Sequence, residues 1–369
     1  MSNSLLRFLA FAGLCSTALA QDIFWSETGG FAGPNLGAVY TAAFDGSGKS
    51  AIATGLNRPI GVDLDVANGH VYWAEDGFDP NTSQIVRANL DGSDPVVLFS
   101  EAEHGFTNAQ MLALDLANGH VYWTDYFAGV IRGDLDGTGY TLLAAAPTAD
   151  HYTALALDLA NGHIYFADPT QFGILFRSDL DGGNGVELAR GLADDNWRFN
   201  SIALDVPNGH IYYTDAGTDE IKRMDLQGAN QVNVLNDPGL NPYGVTLRSD
   251  STMFWVGGLG QRLGTAATDG FSNVNLQVVS LDSSTAFGIA VMPAPLPLTG
   301  FQITEITAGN STVNIRWQGG TPPYQLVRSP SLTEGSWQGV GAPTMQTQAT
   351  DTKGDPNMFY RVQSAPGSP

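Results

Sequence analysis

Short runs of alternating apolar and polar residues recur along residues 22–292, with turn-forming pairs between them. Alternation with a period of two marks strands that bury one face. Four segments repeat almost word for word: Asp65–Glu75 (DVANGHVYWAE), Asp115–Asp125 (DLANGHVYWTD), Asp158–Asp168 (DLANGHIYFAD) and Asp205–Asp215 (DVPNGHIYYTD). Weaker copies of the aromatic part flank them at Phe24–Glu27 and Phe254–Gly257. The second aromatic falls at Trp25, Trp73, Trp123, Phe166, Tyr213 and Trp255, with spacings of 48, 50, 43, 47 and 42 residues. That period is the length of one four-stranded propeller blade.

Each unit resolves into four predicted strands. An alternating run such as Leu155–Leu159 is the first; the Asn-Gly after it predicts a two-residue turn with both residues at positive φ. The aromatic tetrad is the second. A third strand (Ile85–Leu90, Val130–Leu135, Ile174–Leu180, Ile221–Leu226) ends in Asp-Gly or Gln-Gly, read as another two-residue turn. A short fourth strand follows, as in Val96–Phe99. The array opens at Ile23 directly on a second strand and ends at Phe287–Val291, a first strand with no second strand after it. The last strand is expected to complete the first sheet. The result is an all-β, six-bladed propeller without exposed edges.

The tetrads, the LDxxNGHxYWTD runs and the I-x-R-x-x-L-D-G runs resemble the YWTD (class B) repeats of low-density-lipoprotein-receptor-type propellers. The resemblance covers residues 22–292 and implies the fold more strongly than any function. Receptor relatives carry a cysteine-rich module and a membrane span, which are not found in this sequence, so endocytic receptor activity is not implied.

Residues 1–20 read as an export signal, with Arg7, an apolar Phe8–Leu14 and a small-x-small Ala18-Leu19-Ala20 before Gln21. No later stretch approaches the roughly 20 apolar residues of a membrane helix. A secreted or extracellular location is expected, with the periplasm as an alternative. The one cysteine, Cys15, lies in the leader, so disulfides and thiol chemistry are excluded from the mature chain. Removing the leader turns 16 basic and 37 acidic residues into 15 and 37, a balance of −22 that disfavours nucleic acid and anionic lipid. A monomer is expected. The Pro-rich segment 293–300 reads as a linker. Residues 301–369 show further short strands and resemble a small fibronectin-III-like β-sandwich of secreted bacterial proteins.

Glu75, Asp125, Asp168 and Asp215 end their tetrads, and Arg87, Arg132, Arg177 and Arg223 stand in the following strands, so each acid is expected to pair with its blade's arginine. Glu27 has no such partner and stands out. His70, His120, His163 and His210 sit on blades about 60° apart and cannot converge on a metal at ~2 Å. Gly46–Ser50 (GSGKS) lacks the first glycine and the helix of a phosphate-binding loop. No cofactor is expected. Calcium at Asp79-x-Asn81-x-Ser83 is the one candidate, although Gln84 and Leu90 replace required residues. The inner strands offer Asp63, Ala113, Ala156, Ala203, Thr246 and Ala290 to the channel. One carboxylate is too few for a metal-assisted hydrolase.

The longest, most irregular loops gather on one face, as binding loops on a rigid scaffold do. They carry the candidate ligand-binding residues Glu27, Phe78, Phe106, Tyr126, Phe127, Tyr152, Phe172, Trp197, Arg198 and Tyr243. Asp76, Glu103, His104, Asn108, His151, Asp194, Asp195, Asn200 and Asn241 accompany them. Aromatic rings rimmed by polar groups make a recognition surface. The expected function is therefore non-enzymatic binding of a protein, peptide or glycan. The alternative is a lactonase- or lyase-like hydrolase holding a metal at the channel mouth near Asp63, Asn108 and Asn200.

Overall fold

The computed structural model describes residues 22–29, 36–77, 79–143, 151–170, 172–192, 199–236, 241–248, 252–257, 262–268, 273–274 and 286–293, then 302–308, 312–318, 324–329, 338–352 and 359–364. The leader at 1–20 and most of the linker at 293–300 lie outside these residues. The chain divides into two compact units, one spanning Leu19–Met292 and one containing Pro293–Pro369.

The larger unit is a six-bladed β-propeller, each blade an antiparallel four-stranded sheet. From axis to rim, blade two is Pro59–Asp65, His70–Glu75, Gln84–Asn89 and Val96–Ser100. Blade three is Ala109–Asp115, His120–Asp125, Gly129–Asp134 and Thr141–Leu142, and blade four Leu155–Asp158, His163–Asp168, Ile174–Asp179 and Val186–Arg190. Blade five is Ile202–Asp205, His210–Asp215, Glu220–Asp225 and Val232–Asn236, and blade six Pro242–Leu247, Thr252–Gly257, Arg262–Ala267 and Asn273–Val274. Blade one is built from both ends of the array. Ala286–Val291 pairs with Ile23–Glu27, followed by Gly37–Ala42 and Ser50–Leu56. The ring closes as the repeat count requires.

The aromatic pair explains why neighbouring blades adhere. Successive strand residues point to opposite faces of a sheet, so the two rings of a tetrad reach different neighbours. Phe24 of blade one packs in one cluster with Trp73 of blade two, and Tyr72 with Trp123. Tyr122 meets Phe166, Tyr165 meets Tyr213, and Tyr212 meets Trp255. Phe254 and Trp25 complete the circle. Each ring withdraws roughly 150–250 Å² from water, and every seam buries two. Buried hydroxyls add polar stitches between inner strands. Ser26 Oγ donates to Ile60 O and accepts from Gly288 N, while Thr153 Oγ1 donates to Phe199 O.

Both turn readings need correction. After each first strand only the glycine has positive φ (73–75° at Gly69, Gly119, Gly162 and Gly209). The four-residue turn is instead fastened by the preceding aspartate. Asp65 accepts Asn68 N (3.1 Å) and Asn68 Nδ2 (2.7 Å), and Asp115, Asp158 and Asp205 repeat the arrangement. The Asp-Gly turns likewise place only glycine at positive φ.

The smaller unit contains two three-stranded sheets, Gln302–Ala308, Thr312–Gln318 and Gln348–Thr352 in one and Gln338–Thr344, Tyr324–Ser329 and Phe359–Ser364 in the other. Ile315, Trp317, Leu326 and Val362 join both sheets in one core, and Arg328 pairs with the buried Asp351 at 2.8 Å. Gln338–Thr344, rich in glycine, has weak alternation and is not evident from the sequence.

Candidate recognition face and channel

The expected acid–arginine pairs are absent among the described residues, and register explains why. The tetrad acid closes the second strand and lies opposite the start of the third, as Glu75 does with Gln84. The arginine lies opposite the first aromatic, as Arg87 does with Tyr72. The two charges stand three register positions apart, and the odd offset sends them to opposite faces of the sheet. The acids instead bind backbone on the loop face, and Asp215 also pairs with Lys222 at 2.6 Å. Asp125 is fully buried and accepts from the N–H groups of Thr107 (2.8 Å), Asn108 (2.7 Å), Phe127 (3.1 Å) and Ala128 (2.8 Å). Glu75 accepts Asn57 N at 2.6 Å and Trp73 Nε1 at 3.1 Å.

Glu27 is a further correction. Its carboxylate is buried, accepts Trp25 Nε1 at 2.9 Å and forms an ion pair with Lys49 at 3.0 Å. Lys49 Nζ in turn lies 3.9 Å from the centre of the Tyr40 ring. The group is a packed structural cluster, which removes Glu27 from the recognition surface.

Phe106 and Tyr152 are also corrected. Both are core, at 1% and 3% exposure. Phe106 packs on Trp123 at 5.5 Å, and Tyr152 on Phe166 at 6.0 Å. Phe127 and Phe172 stand out from the surface at 64% and 53% exposure. Phe172 adopts a left-handed φ of 64°, a costly backbone state for a bulky residue. Tyr126 is half-buried beneath Phe127 and His151, at ring distances of 4.9 and 4.5 Å, and burial pushes its phenol up to about 12. Phe78, Trp197 and Arg198, with Asp194 and Asp195, lie outside the described residues. Tyr243 meets Phe287 edge-on at 4.8 Å where the innermost strands begin.

A polar ring surrounds the loop-side mouth of the channel. Arg58, Asn108, His151 and Asn241 each immediately precede an innermost strand or its lead-in, fourteen or fifteen residues before the second aromatic. That spacing was available in the sequence, and sequence reasoning missed Arg58 and Gln110. Arg58 holds Asp76 at 3.2 Å, and Gln110 Nε2 donates to Asn108 Oδ1 at 2.7 Å. Asp76 Oδ1, Asn200 Nδ2 and Asn241 Oδ1 are buried with no partner among the described residues. Burial raises the Asp76 carboxyl to about 7 against the opposing pull of Arg58 and Gln110.

Above its unfolded value near 4 the folded Asp76 binds more proton than the unfolded chain, so its contribution falls as pH rises towards 7. Asp76→Asn should therefore gain stability relative to the wild type as pH moves from 5 to 8, read as a rising urea midpoint. A constant difference across that range contradicts the assignment.

The hydrolase constellation does not assemble. Asp63 accepts Leu114 N at 3.0 Å, which sets it level with a residue six positions past Asn108. At ~3.3 Å per residue the two lie roughly 20 Å apart along the channel. Asn200 stands on the opposite blade near the mouth. Among the described residues no three His, Cys, Asp or Glu side chains gather to hold a metal. In the calcium candidate, Ser83 is buried and its hydroxyl already joins Glu75 O to Ala109 N. The repeated histidines lie edge-on against the tyrosine two residues on, at 6.2–6.5 Å.

Solved structures share this architecture. One from a nidogen/laminin complex superposes with a TM-score of 0.60 at 17% identity, covering 73% of this chain and 98% of its own. TolB from Acinetobacter baumannii superposes with a TM-score of 0.56 at 12% identity, covering 74% and 67%. The likeness is one of fold. No protein-family profile and no curated protein sequence matches the chain. No helix among the described residues is long and apolar enough to cross a membrane.

Proposed function

We propose that this chain is an exported, monomeric, non-enzymatic recognition protein of the YWTD propeller type, capturing a protein partner on its loop-rich face. The observation that carries the reading is the coexistence there of exposed aromatics and buried polar atoms lacking partners. Phe127 and Phe172 are displayed, while Asp76 Oδ1, Asn200 Nδ2 and Asn241 Oδ1 forgo hydrogen bonds among the described residues. Each such atom costs about 1–3 kcal/mol. A partner that supplies the missing bonds recovers part of that cost. The atoms stand around the mouth instead of converging, which suits an extended protein surface better than a compact ligand. The nidogen/laminin structure, by its description a protein–protein complex, agrees with this reading. The fibronectin-III-like unit would space or anchor the propeller.

The test is affinity capture from native surface proteins. Phe127→Ser with Phe172→Ser should weaken capture at least tenfold and leave the melting temperature within a degree or two, since both rings are mostly exposed. Val96→Ser with Val186→Ser, on the outer strands, should leave capture unchanged. Wild-type affinity in the first pair refutes the assignment, and capture of a glycan alone replaces the protein partner with a carbohydrate.

A further inference from the structure

The channel has a second, chemically different end. A cavity of about 350 Å³ runs along the axis, lined by the innermost strands from Met111 and Ser201 to Leu159 and Val291. Its lining omits Tyr243, Phe287, Gln110 and Asn200 at the loop-side mouth, so it extends towards the face that carries the Asn-Gly turns. Its size falls within the roughly 300–1,000 Å³ of small-molecule sites. The side chains along the wall are mostly aliphatic, with Ala113, Ala156, Ala203 and Ala290 at one level, while Asp63, Ser201, Thr246 and the main chain make the exposed lining more polar than apolar. Leu159 at the turn-side rim is 43% exposed.

One charge faces this space. Asp63 replaces the alanine of the neighbouring blades; its Oδ1 accepts Leu64 N at 2.8 Å and its Oδ2 accepts Leu114 N at 3.0 Å. No lysine, arginine or histidine lines the cavity among the described residues. Across the strand pair Tyr72 is its register partner, a phenol that burial keeps neutral. Each carboxylate oxygen retains acceptor capacity beyond its single backbone N–H. The turn side carries Asp91, Asp136 and Asp181 together with His70, His120, His163 and His210, and the whole chain carries a formal charge of −21. Such a field concentrates cations at the opening.

We propose that the turn-side channel binds a small primary ammonium ion with a slim apolar body, the ammonium on Asp63 and the body against the alanine wall. The site is independent of the loop-face reading. A bare metal ion finds a single carboxylate, whereas an alkylammonium can use Asp63 for its charge and the alanine level for its chain.

Isothermal titration calorimetry with hexylammonium tests the proposal, with hexanol as neutral isostere and hexanoate as anion. Saturable binding is expected at pH 8, at least tenfold tighter for hexylammonium than for either control. It should weaken about tenfold at pH 5, because burial raises Asp63 to about 6 and protonation removes the charge. Ala156→Leu, which fills the cavity and keeps Asp63, should abolish the heat, and Asp63→Asn should erase the preference over hexanol. If Asp63→Asn fails to fold, Ala156→Leu and the two control ligands decide alone. Equal binding of hexanol and hexylammonium overturns the proposal, as does wild-type affinity in Ala156→Leu. Absence of binding at millimolar ligand also overturns it and leaves Asp63 as a latch between blades two and three.

Discussion

Replacing Asp125 by alanine is expected to lower folding stability by about 3–5 kcal/mol, the largest loss for any single polar side chain on the loop face. The carboxylate is fully buried and satisfies four backbone N–H groups, from Thr107, Asn108, Phe127 and Ala128. Removing it strands those donors away from water, and each orphan costs about 1–3 kcal/mol, less than additively when water enters. The same carboxylate ties the strand lead-in at Asn108 to the loop that displays Phe127. Partner capture should therefore fall together with stability, unlike in the Phe127/Phe172 pair. Urea denaturation of the Asp125→Ala protein measures the effect, and a loss below 1 kcal/mol contradicts the role assigned to Asp125.

Gly288→Ala is expected to cost about 3 kcal/mol through a different mechanism. A Cβ at this position would lie 2.2 Å from Ile60 O and 2.8 Å from Val62 N, both backbone atoms of the neighbouring innermost strand. Backbone cannot move aside as a side chain does, so the inner ring must open. Gly288 belongs to the strand that closes blade one, and its N–H bonds Ser26 Oγ at 3.0 Å. The damage should appear first at the seam, as faster amide hydrogen exchange over Ile23–Glu27 than over the equivalent strand His163–Asp168. Uniform exchange across the blades, or an unchanged urea midpoint, contradicts this picture.

The fold was legible because it is written in repetition. The Tyr-Trp pairs had to face two neighbours, which fixes both their spacing and their alternation, and Ile23 without a first strand announced the closing partner at Phe287–Val291. The recognition face was only partly legible. Phe106, Tyr152 and Phe127 are all aromatics in irregular segments, and composition does not record which way a loop ring turns. Two of them precede innermost strands and fold down onto Trp123 and Phe166; the third sits at a loop tip. Glu27 looked solitary because its cation, Lys49, arrives from the far side of a hairpin. The acid–arginine pairing failed because strand adjacency alone does not give register. The polar ring at the mouth was readable in principle, from the residues fourteen or fifteen positions before each aromatic.

The claim on which everything rests is that the two ends of the repeat array meet in one blade. Ile23 and Val291 are register partners across that seam. In a Cys15→Ser background, Ile23→Cys with Val291→Cys should oxidise to a single intramolecular disulfide under native conditions. The cross-linked protein should resist urea better than its reduced form, by up to about 4–5 kcal/mol for so long a loop. Two free thiols in the folded, oxidised sample, or disulfide formation only between molecules, would contradict the closed ring.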